Sequence, residues 1–377
     1  MKIVIASDSF KGSLSSLQVA DAVEEGIRAA LGTGAEIVKV GVADGGEGTT
    51  EALAESLGGR LTSAVVSDPL GRPISAVYGI TGSGDTAVME MSSASGLPLL
   101  ALSERNPMLT STRGTGELIA DALARGCRKF LMGIGGSATN DCGTGMLSAL
   151  GWRFYDAEGH LLWGRGTDLE KICTIDDTDV LPAMREASFT VACDVNNPLY
   201  GPRGTAFVFA PQKGADSEMV ATLDRGLRSF AAVIEKKYGI SVGDVPGAGA
   251  AGGLGAAFLA FTGARLVPGI DMVLDAIRFD ETLTGASLVF TGEGKIDSQT
   301  ICGKTPSGVL SRAARQGISV IAIGGKVDAA PEGFLDVLQA TPAGMSLEQA
   351  MNFETAFANV RSAAFEAIGR HLTKWVE

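Results

Sequence analysis

An α/β fold is what this sequence predicts, on three observations. Apolar runs of strand length recur at 2–6, 36–42, 130–132, 189–193, 288–290 and 318–323, interspersed with segments of helical period. Several of these runs end in glycine-rich loops that set an acid beside small hydroxyl or amide side chains. The length, 377 residues, exceeds what one typical core supports and points to two or three domains. Hydrophobic residues make up 45% and charged residues 20%, the balance of an ordinary globular protein, and the 51 glycines follow no collagen period.

Composition also excludes. The net charge is −12, the pI is about 4.8 and no dense Lys/Arg run occurs, which argues against nucleic acid and anionic lipid as partners. Five cysteines without a CxxC, and two histidines without ligand spacing, argue against a disulfide framework, a structural zinc site or a His-based triad. The N-terminus reads as a strand rather than a signal peptide, and no apolar run is long enough to span a membrane, so a cytoplasmic protein is expected.

The strand at 2–6 leads into Ser7-Asp8-Ser9-Phe10-Lys11-Gly12-Ser13. Ser15 and Gln18 spell a capping box, and Ala20, Val23, Ile27 and Ala30 recur at helical spacing. A second strand, 36–42, ends in Ala43-Asp44-Gly45-Gly46-Glu47-Gly48-Thr49, and a helix with Ala52, Leu53 and Leu57 inward stops at Gly58-Gly59. Ligands of open α/β sheets sit beyond the carboxyl ends of strands, so both loops are site candidates.

From residue 60 the texture changes. Segments 61–66 and 74–80 flank a turn at 67–73 as an antiparallel pair, 87–91 adds a strand, and 110–117 opens a helix closing at Gly126. The strand 130–132 then feeds Gly133-Ile134-Gly135-Gly136-Ser137-Ala138-Thr139-Asn140-Asp141-Cys142-Gly143-Thr144-Gly145 and a helical start. Glycines let backbone N–H groups approach an anion, and a helix start adds a positive dipole end. The turn therefore suits a phosphate or small-acid cradle, although an ordinary capped βα turn carries the same signature.

The strand 189–193 ends in Asp194-Val195-Asn196-Asn197-Pro198-Leu199, and Leu223, Leu227, Phe230 and Ile234 mark an amphipathic helix. Gly247, Gly249 and Gly252 match GxGxxG, but no clear strand precedes them, so a close-packed loop is expected. The strand 288–290 runs into Thr291-Gly292-Glu293-Gly294-Lys295-Ile296-Asp297. Gly303-Lys304-Thr305-Pro306 looks like the tail of a P-loop, yet Ser298 stands where its first glycine belongs; Thr305 as N-cap before Pro306 is the simpler account. A strand at 318–323 and a helix near 354–372, with Phe357, Val360, Ala364 and Ile368 on one face, complete the chain.

Asp8, Asp44, Asp141, Asp194, Glu293 and Asp297 all lie just beyond predicted strands or in glycine-rich loops. One such acid is an ordinary cap; six in one context suit Mg²⁺-nucleotide chemistry, because Mg²⁺ takes hard oxygen ligands, often one or two carboxylates plus phosphates. Lys11, Lys213, Lys295 and Arg113 are loop cations able to meet a substrate carboxylate or phosphate.

Five motifs carry a resemblance over essentially the whole chain: those beginning at Asp8, Ala43, Gly133, Asp194 and Thr291, in that order. Together they resemble the bacterial type I glycerate kinase family, with Cys142 standing where the family is expected to have glycine. The resemblance implies ATP-dependent phosphorylation of D-glycerate with Mg²⁺, most often at the 2-hydroxyl, giving 2-phosphoglycerate and ADP. It implies two α/β domains with the active site in the cleft between them, one domain discontinuous in sequence. The change of texture near 60 and the renewed βα pattern at Leu288 place these at 1–60 plus 285–377 and at 61–284.

On this resemblance Gly135, Gly136, Ser137, Thr139, Asn140, Asp141 and Glu293 are expected at the nucleotide and its phosphates, and Asp194 and Asp297 at the metal. Asp8, Ser9, Lys11, Gly45, Gly46, Glu47 and Thr49 are expected around glycerate. Lys11 assists catalysis and either Asp194 or Asp44 accepts the hydroxyl proton. Small molecules are the expected partners of a monomer or homodimer. The competing readings are a kinase for tartronate or a longer sugar acid, and a non-catalytic sensor of a small acid.

Overall fold

The structure, a computed structural model, describes residues 1–298, 300 and 304–371. Gly303 of the 303–306 stretch and the helix end expected at Leu372 lie outside the described residues. The strands in chain order are β1 (Lys2–Ile5), β2 (Glu36–Lys39), β3 (Arg60–Ser67), β4 (Pro73–Ile80), β5 (Thr86–Glu90), β6 (Lys129–Gly133), β7 (Arg153–Tyr155), β8 (Thr174–Asp176), β9 (Ser188–Ala192), β10 (Arg265–Val267), β11 (Ala286–Ile296), β12 (Ser319–Val327) and β13 (Asp336–Gln339). Two compact units result: Met1–Asp44, Glu55–Leu57 and Gly269–Glu377 form the first, and Gly45–Ala54 with Gly58–Pro268 the second.

The first unit is built on a five-stranded parallel sheet in the order β13-β12-β11-β1-β2. Ile3, Val4 and Ile5 are all fully buried, as expected of a parallel strand covered on both faces, and each contributes roughly 2 kcal/mol by leaving water. Alternate residues Ile3, Ile5, Leu288, Phe290, Ile321 and Ile323 pack in one cluster with helices Ser16–Leu31 and Phe353–His371. Those helices cross closely: a Cβ on Gly26 would run into the Arg361 carbonyl. Helix Thr305–Arg315 packs on β11 and β12. Counted within the unit the strand order is 2-1-3-4-5, so the sheet reverses between β1 and β11, where doubly wound sheets hold their ligands.

The second unit holds a mixed six-stranded sheet, β10-β9-β6-β5-β4-β3, with β5, β6, β9 and β10 parallel and β3–β4–β5 antiparallel. Asp68 closes the β3–β4 turn by accepting from the N–H groups of Leu70 and Arg72, both at 2.8 Å. Phe130 of β6 stacks on Phe189 of β9 with ring centroids 4.6 Å apart.

Four local expectations need correction. The strand at 288–290 is only part of β11 (Ala286–Ile296), which pairs with β12 as far as Ile296, so Glu293 is a strand residue and not a loop residue. Gly292 permits this, since a Cβ there would meet the Ile323 carbonyl. β12 likewise continues to Val327. The second strand stops at Lys39, because the chain leaves the ladder and Val42 N–H turns to the Ser16 hydroxyl at 2.9 Å. Lys304, not Thr305, occupies the N-cap of helix Thr305–Arg315; the Thr305 hydroxyl donates to the Asp8 carboxylate at 2.8 Å.

Candidate active site

The carboxyl ends of β1, β2, β11 and β12 open onto a cavity of about 740 Å³ lined wholly by the first unit. Asp8, Ser9 and Lys11 reach it from the loop after β1, Asp44 from beyond β2, and Glu293 and Lys295 from β11. Asp8 is pinned at both oxygens: Oδ1 accepts from Ser9 N–H at 2.6 Å and Oδ2 from Thr305. Burial, and then the neighbouring charge of Asp44, push its pKa up to about 6. Glu293 accepts from the Thr300 hydroxyl at 2.6 Å and pairs with Lys304 at 3.2 Å. Lys295 bridges Asp297 at 3.3 Å and Asp328 at 2.9 Å, and Lys326 joins Asp328 at 2.9 Å. Lysines 11, 295, 304 and 326 thus line the cavity together with the acids Asp8, Asp44 and Glu293, and three of the lysines are ion-paired.

The 133–145 loop, in the second unit, has a different character. Gly135 and Gly136 are exposed, whereas residues 137–141 are buried. Asp141 is fully enclosed and accepts four hydrogen bonds: Thr112 N–H at 2.7 Å, Thr112 hydroxyl at 2.8 Å, and Gly143 and Gly145 N–H at 3.2 Å each. Burial raises its pKa while these donors pull against it. Lys213, 1% exposed, donates to Ser137 Oγ at 2.7 Å and the Thr139 carbonyl at 2.6 Å, and burial lowers its pKa to about 7. The amide of Asn140 and the Thr139 hydroxyl are buried without a hydrogen-bond partner among the described residues. Cys142 takes φ +50°, the left-handed region that favours glycine, with its thiol toward the Gly253 carbonyl at 3.5 Å.

The remaining expected residues divide between the units. Gly45, Gly46, Glu47 and Thr49 belong to the second, with Glu47 exposed and the Thr49 hydroxyl closing onto the Gly46 carbonyl at 2.7 Å. Asp194 is exposed beyond β9 in the second unit, and Asp297 lies in the first. Lys213 is a buried strut and not a loop cation; Arg113 pairs with Glu117 at 3.0 Å on its own helix. Two features went unread in the sequence. Glu90, 9% exposed at the end of β5, accepts from Thr50 N–H at 2.9 Å, and an acid closing an apolar strand was its signal. The 340–351 wall of the cavity, with helix Leu347–Met351, carries no motif at all.

A doubly wound parallel sheet whose carboxyl ends gather acids and lysines around a cavity defines an α/β enzyme of the ligand-at-the-switch-point kind. Residues 3–373 match the glycerate kinase family, and the chain belongs to that family; it is a kinase. Glycerate kinase of Bacillus subtilis (strain 168) is 48% identical over 327 residues, covering 87% of this chain and 85% of the relative. Glycerate 2-kinase of Escherichia coli (strain K12) is also 48% identical over 327 residues, 87% of this chain and 86% of that one. The crystal structure of a candidate glycerate kinase 2 from Salmonella typhimurium LT2 superposes with a TM-score of 0.93 at 44% identity, covering 100% of this chain and 99% of that one. Among the described residues no helix is long and apolar enough to cross a membrane.

Proposed function

We propose that this enzyme transfers the γ-phosphoryl group of ATP to the 2-hydroxyl of D-glycerate, giving 2-phosphoglycerate and ADP. The observation that carries the reading is the acid- and lysine-lined cavity at the switch point of the first-unit sheet, in a chain whose Escherichia coli relative is named a glycerate 2-kinase. In the transfer, the hydroxyl oxygen bonds to the γ-phosphorus as the bond to the β,γ-bridging oxygen breaks, and the hydroxyl proton passes to a carboxylate. Asp44, on the cavity, and Asp194, in the second unit, are the two bases to weigh. The cavity lysines neutralise charge that builds on the transferring group.

The donors in and beside the cavity are carboxylate oxygens (Asp8, Asp44, Glu293 and Asp297), which suit Mg²⁺ as a hard cation. Asp297 would hold it together with nucleotide phosphates, and the bound cation would supply charge neutralisation. Within the 133–145 loop, Gly135 and Gly136 present open backbone to an anion, and we assign Asp141 to anchoring the loop and not to contacting phosphate.

Combined ³¹P and ¹H NMR of purified protein with ATP, Mg²⁺ and D-glycerate tests the reading. ADP and 2-phosphoglycerate are expected. No ADP above background would overturn it, and 3-phosphoglycerate would overturn the regiochemistry.

A further inference from the structure

We propose that the first-unit cavity is a nucleotide site whose apolar lobe, formed by the 340–351 segment, holds the purine base. This rests on the phosphoryl-transfer reading above and assigns the nucleotide to the first unit instead of to the 133–145 loop. The cavity lining is of two kinds. Asp8, Lys11, Glu293 and Lys304 are charged, and Pro342, Ala343, Met345, Leu347 and Met351, from the 340–351 segment, are apolar. At about 740 Å³ it lies within the roughly 300–1,000 Å³ that suits a drug-sized ligand, and a three-carbon acid would leave most of it empty. An adenosine triphosphate has the matching polarity, a flat apolar base joined to a polyanion.

The apolar wall bears the marks of a surface kept for a ligand. Leu347 is 75% exposed and Met351 40% exposed, large apolar side chains left uncovered side by side at a cavity mouth. Two thioethers, Met345 and Met351, supply polarizable contacts for an aromatic ring. Met351 also joins the apolar lining to the charged one, because Gly12, at φ +82°, leaves room for its terminal methyl beside the loop that carries Asp8 and Lys11. Asn359, on helix Phe353–His371, lines the same cavity. The only hydrogen bond its amide makes among the described residues is donation to the Met345 sulfur, at 3.5 Å. An amide offers one donor and one acceptor in a plane, the pairing that reads the N6 and N7 edge of adenine.

Equilibrium titration with the fluorescent nucleotide mant-ATP, in the absence of any acid substrate, tests the site directly. Met351→Glu and Asn359→Leu lie at partly exposed positions, and a thermal melt confirms that each variant folds. Met351→Glu is expected to weaken mant-ATP about tenfold or more and to raise KM for ATP in parallel, with KM for D-glycerate within about twofold. Asn359→Leu is expected to erode the preference for ATP over GTP about fivefold. Inorganic triphosphate should compete with mant-ATP equally well in wild type and Asn359→Leu, since that variant leaves the charged lining intact. Unchanged mant-ATP affinity in Met351→Glu, or a rise confined to KM for D-glycerate, overturns the assignment. Wild-type protein that binds mant-ATP yet forms no ADP with D-glycerate would sink the phosphorylation reading and leave the nucleotide site standing; failure to bind mant-ATP sinks the site.

Discussion

Glu293, within β11, and Asp141, in the loop after β6, are both acids in glycine-rich surroundings, and the fold uses them oppositely. Glu293 holds Thr300 and Lys304 at the edge of an open cavity. Asp141 gathers four donors in a place without solvent. Single glycines differ as well. Gly294 lines the cavity with its nearest neighbour for a Cβ at 3.7 Å, whereas a Cβ on Gly145 would run into Ser111 Oγ and lie 3.0 Å from Asp141 Oδ2. Both regions hold open and crowded glycines, since a Cβ on Gly325, which also lines the cavity, would lie 2.6 Å from the Gly294 carbonyl, while one on Gly135 of the loop would meet nothing within 4 Å; the contrast between the regions is therefore in their acids.

The contrast predicts separable losses, activity without stability in the cavity and stability in the loop. The largest effect is expected at the cavity. If Asp44 accepts the hydroxyl proton, Asp44→Asn lowers kcat about 10²–10⁴-fold with little change in the thermal midpoint. A loss smaller than about tenfold removes Asp44 as the base and moves the role to Asp194, where the same substitution is the matching test. In the loop, Asp141→Ala strands the N–H groups of Thr112, Gly143 and Gly145 and should lower unfolding free energy by about 3–5 kcal/mol in urea titration. A variant that unfolds at the wild-type urea concentration would break the comparison, because the loop would then not depend on its buried anchor.

Much of this fold was legible in the sequence. The capping box at Ser15 and Gln18 is present, with both halves formed, and the 61–66 and 74–80 segments pair antiparallel. Apolar alternation and cap chemistry are local properties, so a local reading finds them. What escaped was set by distant partners. β11 reads as a three-residue strand because Gly292, Glu293 and Gly294 have poor strand propensity, and only pairing with β12 carries it to Ile296. Thr305 looks like a cap from its neighbours, yet its hydroxyl is claimed by Asp8, 297 positions away. The candidate site divides along the same line. Strand-end acids announced Asp8, Asp44 and Glu293, while the 340–351 wall has the composition of an ordinary turn and becomes a wall only through where β13 ends.

Lys213 offers a subtler separation, because its signature is a pH dependence. Its pKa falls from the ordinary 10.5 to about 7 in the fold. Below about pH 7 both folded and unfolded chains hold the proton, and the group adds no slope. From about 7 to 10.5 the unfolded chain holds a proton that the fold does not, so stability rises with pH, by up to about 1.4 kcal/mol per unit. Subtracting the urea-derived stability of Lys213→Met from that of wild type between pH 7 and 9 should isolate this rise, since the other titrating groups cancel. A flat difference would mean the buried ammonium keeps its proton through its bonds to Ser137 and Thr139.

The smallest effect concerns Cys142, and it asks whether backbone or packing governs the loop. A non-glycine residue at φ +50° costs about 1 kcal/mol, which Cys142→Gly would recover. Against that stand the greater freedom of glycine in the unfolded chain, roughly 0.5–1 kcal/mol, and the loss of a buried thiol that contacts the Gly253 carbonyl. These nearly cancel, so Cys142→Gly should lie within about 1 kcal/mol of wild type. Cys142→Ala keeps the strained backbone and loses the sulfur, and should be the less stable of the two by a margin of the same order. If alanine proves the more stable, the sulfur and the backbone angle matter less than the Cβ that both cysteine and alanine place in this close-packed loop. Cysteine at this position would then be a packing choice and not a tolerated strain.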